Sequence, residues 1–144
     1  MSVQDNFEFL QSCLYFNTNR LSRAITRMAE EEFSVTGLTP MYGYLIRLVN
    51  GIPGITQKEL ADKLYITAST LTRFIDKLEG KGLVERKVSG KTVEVYPTAK
   101  GLELGETIRK ASKNLEKRYE EILGSELARE LSRNIENTSR MLEK

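Results

Sequence analysis

The side chains best suited to chemistry lie in one short polar stretch near the middle of the 144-residue chain. Between Thr67 and Lys77, hydroxyls and cations alternate with apolar residues. Proteins use such groups to contact phosphates and base edges. The chain has no histidine, so the commonest general base and the commonest metal ligand are missing. The composition therefore favours a binding protein over an enzyme, with no cofactor and no metal site expected.

The apolar spacing around this stretch predicts a helix-turn-helix. The segment Thr56-Gln57-Lys58-Glu59 matches a capping box at the start of a short helix that runs to about Leu64. Thr67 is placed to cap a second helix that ends near Gly80. Three apolar residues of the second helix recur at helical spacing and predict its inward face, namely Leu71, Ile75 and Leu78.

The opposite face of the second helix carries the polar side chains. In a helix-turn-helix, the N-terminal part of this helix enters the major groove of DNA. The predicted DNA-contacting residues of this helix are Thr67, Ser69, Thr70, Thr72, Arg73 and Lys77. A helical hairpin with a solvated polar face would show the same apolar spacing.

An alternating pattern follows the second helix and predicts a β-hairpin. The strands run from Leu83 to Val88 and from Thr92 to Tyr96, with Ser89-Gly90-Lys91 as the turn. A hairpin directly after a helix-turn-helix makes a winged helix, and wings commonly carry cations to the DNA backbone. The cations placed for that role are Arg86, Lys87 and Lys91.

Helical patterns occupy both ends of the chain. Apolar residues recur at helical spacing from about Asp5 to Ser34, which predicts one long helix. Thr39 then places a capping hydroxyl just before Pro40, at the first position of another helix, which stops near Gly51. Two further helices are predicted, from 98 to about 123 and from 125 to the C-terminus. The expected fold is mostly α with a small β-hairpin wing, arranged as a winged helix-turn-helix.

Composition limits the partners and the location. The net charge is only +2, but residues 56–100 hold nine basic and six acidic side chains, so the basic excess lies in the predicted winged helix. No apolar run is long enough to cross a bilayer, which predicts no membrane partner. A polar N-terminus and a single cysteine fit a cytoplasmic protein without an intrachain disulfide.

Three segments of the sequence resemble the MarR family of transcriptional regulators. They are Leu38-Thr39-Pro40-Met41-Tyr42, Thr56-Gln57-Lys58-Glu59-Leu60-Ala61 and Leu78-Glu79-Gly80-Lys81-Gly82-Leu83-Val84-Glu85-Arg86, and the end of the wing at 95–101 is similar as well. The resemblance covers nearly all of the chain. It implies one domain over 1–144, with the winged helix at 38–100 and a helical dimerisation region at 1–37 and 101–144.

The same resemblance implies a function. Family members act as homodimers on roughly palindromic operators in double-stranded DNA, usually as repressors that a small molecule or an oxidant releases. One feature departs from the family. Its usual wing is longer and contains an Asp-x-Arg sequence, which is missing here. Lys91 is the only cation at the predicted tip, so we expect a differently shaped wing contact.

The resemblance also implies an effector, such as a small aromatic or phenolic compound. Candidates for recognising an aromatic carboxylate are Tyr15, Arg20, Tyr42, Tyr44 and Arg47. Each tyrosine can equally be an ordinary core or interface residue. Cys13 lies where a redox-sensing branch of the family has its reactive cysteine, but free cysteines are also commonly buried and inert.

Two other functions compete with operator binding. A winged helix can serve as a protein-interaction module, in which case the polar face never meets DNA. An enzyme is the weaker alternative, because the sequence has no nucleophile–base pair and no phosphate-cradling glycine loop. Steep weakening of binding by salt would separate DNA binding from protein interaction.

Overall fold

A computed structural model describes residues 7–143 of the chain as helices that flank a small sheet. The α-helices are α1 (Glu8–Gln11), α2 (Leu14–Phe33), α3 (Pro40–Gly51), α4 (Gln57–Leu64), α5 (Ala68–Gly80), α6 (Ala99–Leu123) and α7 (Ser125–Leu142). The strands are β1 (Ile55–Thr56), β2 (Val84–Ser89) and β3 (Thr92–Pro97). The mostly helical winged-helix fold expected from the sequence is confirmed.

The prediction of one continuous first helix is wrong. The chain leaves helical geometry at Ser12 and Cys13, and Cys13 is extended, with φ −87° and ψ 114°. Its sulfur accepts a hydrogen bond from the Phe16 amide at 3.5 Å and so caps α2. The apolar spacing continues across the break, so periodicity alone does not reveal it. Residues 5 and 6 of the predicted helix lie outside the described residues.

The cap predicted at α3 differs in detail. Thr39 occupies the N-cap position before Pro40, but its side chain makes no capping hydrogen bond. At α4 the cap is made as predicted, because Thr56 Oγ1 accepts from the Glu59 amide at 3.1 Å. Thr56 also donates its hydroxyl proton to the Glu59 carboxylate at 2.9 Å. In a capping box the carboxylate accepts from the backbone amide of the cap residue, whereas here the Glu59 carboxylate accepts from the Thr56 hydroxyl.

The sheet has a third strand that the alternating pattern did not predict. β1 pairs antiparallel with β3, and the order is β1-β3-β2. Two residues are too short to show an alternation, so β1 had no detectable signal. The hairpin turn is Gly90-Lys91, since Ser89 pairs with Thr92. Gly90 has φ +63°, a left-handed value that glycine adopts without steric cost.

The core lies between the winged helix and the first half of α6. Its fully buried side chains come from the end of α2 and from α3, α4, α5, the strands and α6, and include Phe33, Leu45, Leu60, Leu71 and Ile108. α6 begins against the start of β2, where a Cβ on Gly101 would collide with the Leu83 carbonyl oxygen. This close approach fixes the wing to α6, and the Lys100 ammonium reinforces it by donating to the Lys81 carbonyl at 3.1 Å.

The two ends of the chain form a helical arm, defined here as residues 14–28 and 116–142. No residue in either range is fully buried. α7 is amphipathic, yet none of its residues is buried, and Leu127 and Ile135 remain 51% and 45% exposed. Among residues 7–143, no helix is both long and apolar enough to span a membrane.

Candidate nucleic-acid interface

The second helix of the helix-turn-helix, α5, is fixed at its start by a network of hydroxyls. Thr67 has extended geometry and its Oγ1 accepts from the Thr70 amide at 3.2 Å. Its hydroxyl also lies 2.9 Å from Thr70 Oγ1 and 3.3 Å from Ser69 Oγ. The cap therefore holds three predicted DNA-contacting residues in one exposed cluster at the N-terminus of α5.

The two faces of α5 divide as the sequence predicts. Leu71, Ile75 and Leu78 are at most 1% exposed. On the other side, Ser69, Arg73 and Lys77 are exposed, while Thr70 and Thr72 are half-buried. The cations are therefore free to reach a ligand, and the apolar face supplies the rigidity that positions them.

Internal contacts restrain several of these polar side chains. Arg73 Nη2 donates to Thr70 Oγ1 at 3.3 Å, and the Thr72 hydroxyl donates to the Ala68 carbonyl at 3.0 Å. The Lys77 ammonium lies 5.6 Å from the centre of the Tyr42 ring. Tyr42 packs edge-on against Phe74, with ring centres 5.0 Å apart. The Tyr42 ring of α3 therefore helps to position the Lys77 ammonium.

The wing, β2 and β3 with their turn, presents two exposed cations. Lys91 is exposed at the tip. Lys87 lies on β2, with its ammonium 4.9 Å from the centre of the Tyr96 ring. The Tyr96 hydroxyl donates to Glu94 Oε1 at 3.1 Å. This bond to the Glu94 carboxylate raises the pKa of Tyr96.

Arg86 is held by carboxylates of α5. Its guanidinium contacts Asp76 Oδ1 at 2.6 Å and Glu79 Oε1 at 2.8 Å, and its amide donates to Glu79 Oε2 at 2.9 Å. Hydrogen bonds from the amide and guanidinium of Arg86 lower the pKa of Glu79, and the bond to Glu79 raises the pKa of Arg86. This clamp does not favour the predicted contact between Arg86 and DNA.

Sequence reasoning missed the two partners of Arg86. Asp76 and Glu79 lie three residues apart, which places them on one face of a helix, and Arg86 follows on the next strand. The spacing of Asp76 and Glu79 indicates a pair of carboxylates on one helix face. The direction of β2 relative to α5 was also needed to predict that Arg86 would contact them. The clamp fixes the angle between the wing and α5.

The effector candidates do not converge on one site. Tyr44 lines a groove of about 590 Å³ between α2, α6 and α7. Tyr42, two residues earlier, points to α5 instead. Tyr15, Arg20 and Arg47 are exposed and lie outside the groove lining, and Cys13 caps α2. These candidates therefore do not line one common site within the described residues of a single chain, and their roles stay predictions.

The groove adds residues that the sequence did not single out. Its walls are mainly apolar and include Leu21, Ile25, Met28, Leu115, Ile122, Leu131 and Ile135. Polar groups enter from Tyr119 and Arg129. Burial raises the pKa of Tyr119, and the nearby Tyr44 adds to this effect.

The fold and this surface define a winged-helix protein, and comparison with known proteins gives the family. The MarR family matches residues 44–89. Two helix-turn-helix transcriptional regulators of Bacillus subtilis (strain 168) are similar in sequence. YwoH is 30% identical over 76% of this chain and 71% of its own length. YybA is 31% identical over 62% of this chain, and the chain spans 62% of YybA.

Solved structures share the fold. The repressor CouR bound to p-coumaroyl-CoA has a TM-score of 0.84 and 25% identity, covering 92% of this chain and 95% of its own. The S. aureus MepR–DNA complex has a TM-score of 0.79 and 20% identity, covering 90% and 98%. The chain belongs to the MarR family of transcriptional regulators. This family consists of DNA-binding regulators and not of enzymes.

Proposed function

We propose that this protein binds double-stranded DNA sequence-selectively as a homodimer, with α5 in the major groove. The observation that carries the proposal is the division of α5 into a fully buried apolar face and an exposed face of hydroxyls and cations. The wing adds further cations beside the same helix. The MepR–DNA complex, which shares the fold, supports this use of the surface.

The residues divide into two roles. Arg73 is exposed and close to the N-terminal cluster of α5, where a guanidinium can pair with O6 and N7 of a guanine. Lys91 at the wing tip is a point charge suited to a phosphate. Arg73→Ala is expected to cost about 1–3 kcal/mol of binding free energy and to relax base preference.

The homodimer is supported by the helical arm. A single chain leaves the apolar residues of α7 exposed, and such a face is covered in a stable protein. In a dimer with twofold symmetry, the two α5 helices would meet half-sites about one turn of DNA apart, roughly 34–36 Å. The operator is then expected to be palindromic.

The test is fluorescence anisotropy with duplex from the upstream region of the gene and a scrambled duplex as control. Titrations at two salt concentrations measure the number of phosphates that the protein neutralises. Tight, salt-sensitive and selective binding by a dimer supports the proposal. Equal weak binding to both duplexes, together with little response to salt, would favour a protein-interaction module.

A small-molecule effector is a second candidate function, favoured by the groove. Its volume suits one aromatic ligand, its walls are apolar, and the phenols of Tyr44 and Tyr119 supply polar contacts. CouR, bound to p-coumaroyl-CoA, supports a phenolic compound as the effector and repression as the mode of action. Phenolic acids would be titrated against the preformed DNA complex, and release by wild type but not by Tyr119→Phe is expected.

Oxidant sensing by Cys13 rests on its position as the cap of α2. Oxidation of the Cys13 sulfur would weaken the hydrogen bond that it accepts from the Phe16 amide. The start of α2, and with it the start of the arm, would then be held less firmly. Cys13→Ser is expected to bind DNA but to ignore peroxide. Peroxide release that persists in this variant would remove Cys13 from the mechanism.

A further inference from the structure

Tyr65, in the turn between α4 and α5, has an unusual backbone. Its dihedral angles are φ 56° and ψ 42°, and it has the only positive φ among the non-glycine residues of 7–143. Its amide donates to the Asp62 carbonyl at 3.4 Å, and the next amide, that of Ile66, donates to the Ala61 carbonyl at 3.1 Å, which closes α4. Glycine adopts this conformation without steric cost, whereas a bulky side chain is strained there.

The Tyr65 side chain contributes no hydrogen bond or aromatic contact to the described part of the fold. It is 74% exposed, and its ring and hydroxyl make no aromatic pair or hydrogen bond within the described part of the chain. The other tyrosines differ. Tyr42, Tyr44, Tyr96 and Tyr119 are half-buried, and the exposed Tyr15 lies on the helical arm, where the dimer partner is proposed to dock.

The position of Tyr65 points to its use. It precedes the N-cap Thr67 by two residues, so their Cα atoms are at most about 7 Å apart. Thr67, Ser69 and Thr70 form the exposed cluster at the N-terminus of α5. The helix end needs the left-handed backbone at this position but does not use the tyrosine side chain. A strained residue whose side chain the fold does not use is a candidate for function, and tyrosine hydroxyls are common donors to DNA phosphates.

We propose that the Tyr65 hydroxyl donates a hydrogen bond to a backbone phosphate beside the major groove that α5 enters. The bond sets the depth and angle of α5, and it carries no base preference of its own. This inference rests on the proposed DNA binding. Because the hydroxyl is neutral, the contact releases no counterion, which distinguishes it from the contact made by a lysine.

The experiment measures the affinity of Tyr65→Phe for operator and scrambled duplex across a salt series. We expect roughly a tenfold loss on both duplexes with an unchanged salt slope. Lys91→Ala is the reference for a charged contact, with a reduced slope. Tyr96→Phe is the matched control, because its hydroxyl is already bonded to Glu94, and we expect its affinity to stay within about twofold of wild type.

Tyr65→Gly separates the contact from the fold. Relief of the backbone strain is expected to raise Tm by about 4 °C while DNA affinity falls as in the Phe variant. Wild-type affinity of Tyr65→Phe, or a lower Tm of Tyr65→Gly, would overturn the inference and leave the proposed function standing. A wild-type protein that binds no duplex would overturn both.

Discussion

The winged helix buries its apolar residues within the chain, whereas α7 of the helical arm buries none of its own. In the winged helix, Leu71, Ile75 and Leu78 of α5 are buried against neighbouring elements of the same chain. In the arm, α7 is strongly amphipathic but buries none of its residues. The difference teaches that the winged helix is structurally complete within one chain, whereas the arm leaves the apolar face of α7 uncovered by the same chain.

The two regions are alike in one respect, since in each of them one arginine contacts two carboxylates. The winged helix fixes its wing through the clamp of Arg86, Asp76 and Glu79. In the arm, Arg118 contacts two carboxylates at the end of α2, Glu31 at 3.3 Å and Glu32 at 3.1 Å. Both sets of contacts are partly exposed, so each adjusts the angle between packed elements and adds little to overall stability.

The largest effect is expected from a cavity in the core of the winged helix. Ile75→Ala removes a fully buried side chain of α5 and should lower the free energy of unfolding by about 2–5 kcal/mol. Denaturant titration at two protein concentrations measures it. Val88→Ala, at a site that is 79% exposed on the wing, is the control. A loss that depends on protein concentration would contradict a self-contained winged helix.

A charge on the apolar face of α7 should act on assembly. Ile135→Glu is expected to weaken dimerisation at least ~30-fold, about 2 kcal/mol, because a carboxylate would be buried in the interface without a partner. Sedimentation equilibrium measures it, with the exposed Asn137→Glu as the matched change of charge. If both variants remain equally dimeric, the dimer is built on another surface and the contrast between the regions fails.

The clamp predicts a smaller effect that depends on pH. The pKa of Glu79 is lowered in the folded protein, so its contribution is present at neutral pH and is lost from about pH 5 downward. Because the Glu79 side chain is partly exposed and screened by solvent, Glu79→Gln is expected to cost less than about 1 kcal/mol at pH 7 and to flatten the fall in acid. Thermal melts from pH 7 to pH 4 measure this, and the exposed neighbour Glu85→Gln should melt as wild type at every pH.

The smallest effect is expected at the wing tip. Lys91→Ala should weaken binding to every duplex by less than about tenfold and reduce the salt slope by about 1. Anisotropy titrations over a salt series measure it. Lys110→Ala, an exposed cation on α6, tests whether net charge alone explains the change. Selective loss on operator DNA would assign base readout to the wing.

Most elements of the winged helix could be predicted from local patterns in the sequence. Thr56 and Thr67 identify the starts of α4 and α5, and both caps are made. The inward spacing of Leu71, Ile75 and Leu78 gives the polar face of α5 by exclusion. These signals are local, because helix caps and helix faces depend on residues only three or four positions apart.

Other features could not be predicted in this way. Strand β1 is two residues long and exists because β3 lies beside it. The break at Cys13 leaves the apolar spacing unchanged. Tyr42 and Tyr44 are neighbours in sequence, yet they face different sites because they lie on different sides of α3.

The sequence by itself determined the helix-turn-helix, the following hairpin and the side of α5 that carries polar groups, since each follows from short-range spacing. Only the tertiary structure decided which wing cations pair with carboxylates of the same chain and which stay exposed to solvent. Arg86 and Lys91 read alike as wing cations, but Arg86 meets two carboxylates of α5 while Lys91 stays exposed. That outcome depends on how a strand crosses a helix, and long-range packing sets this angle.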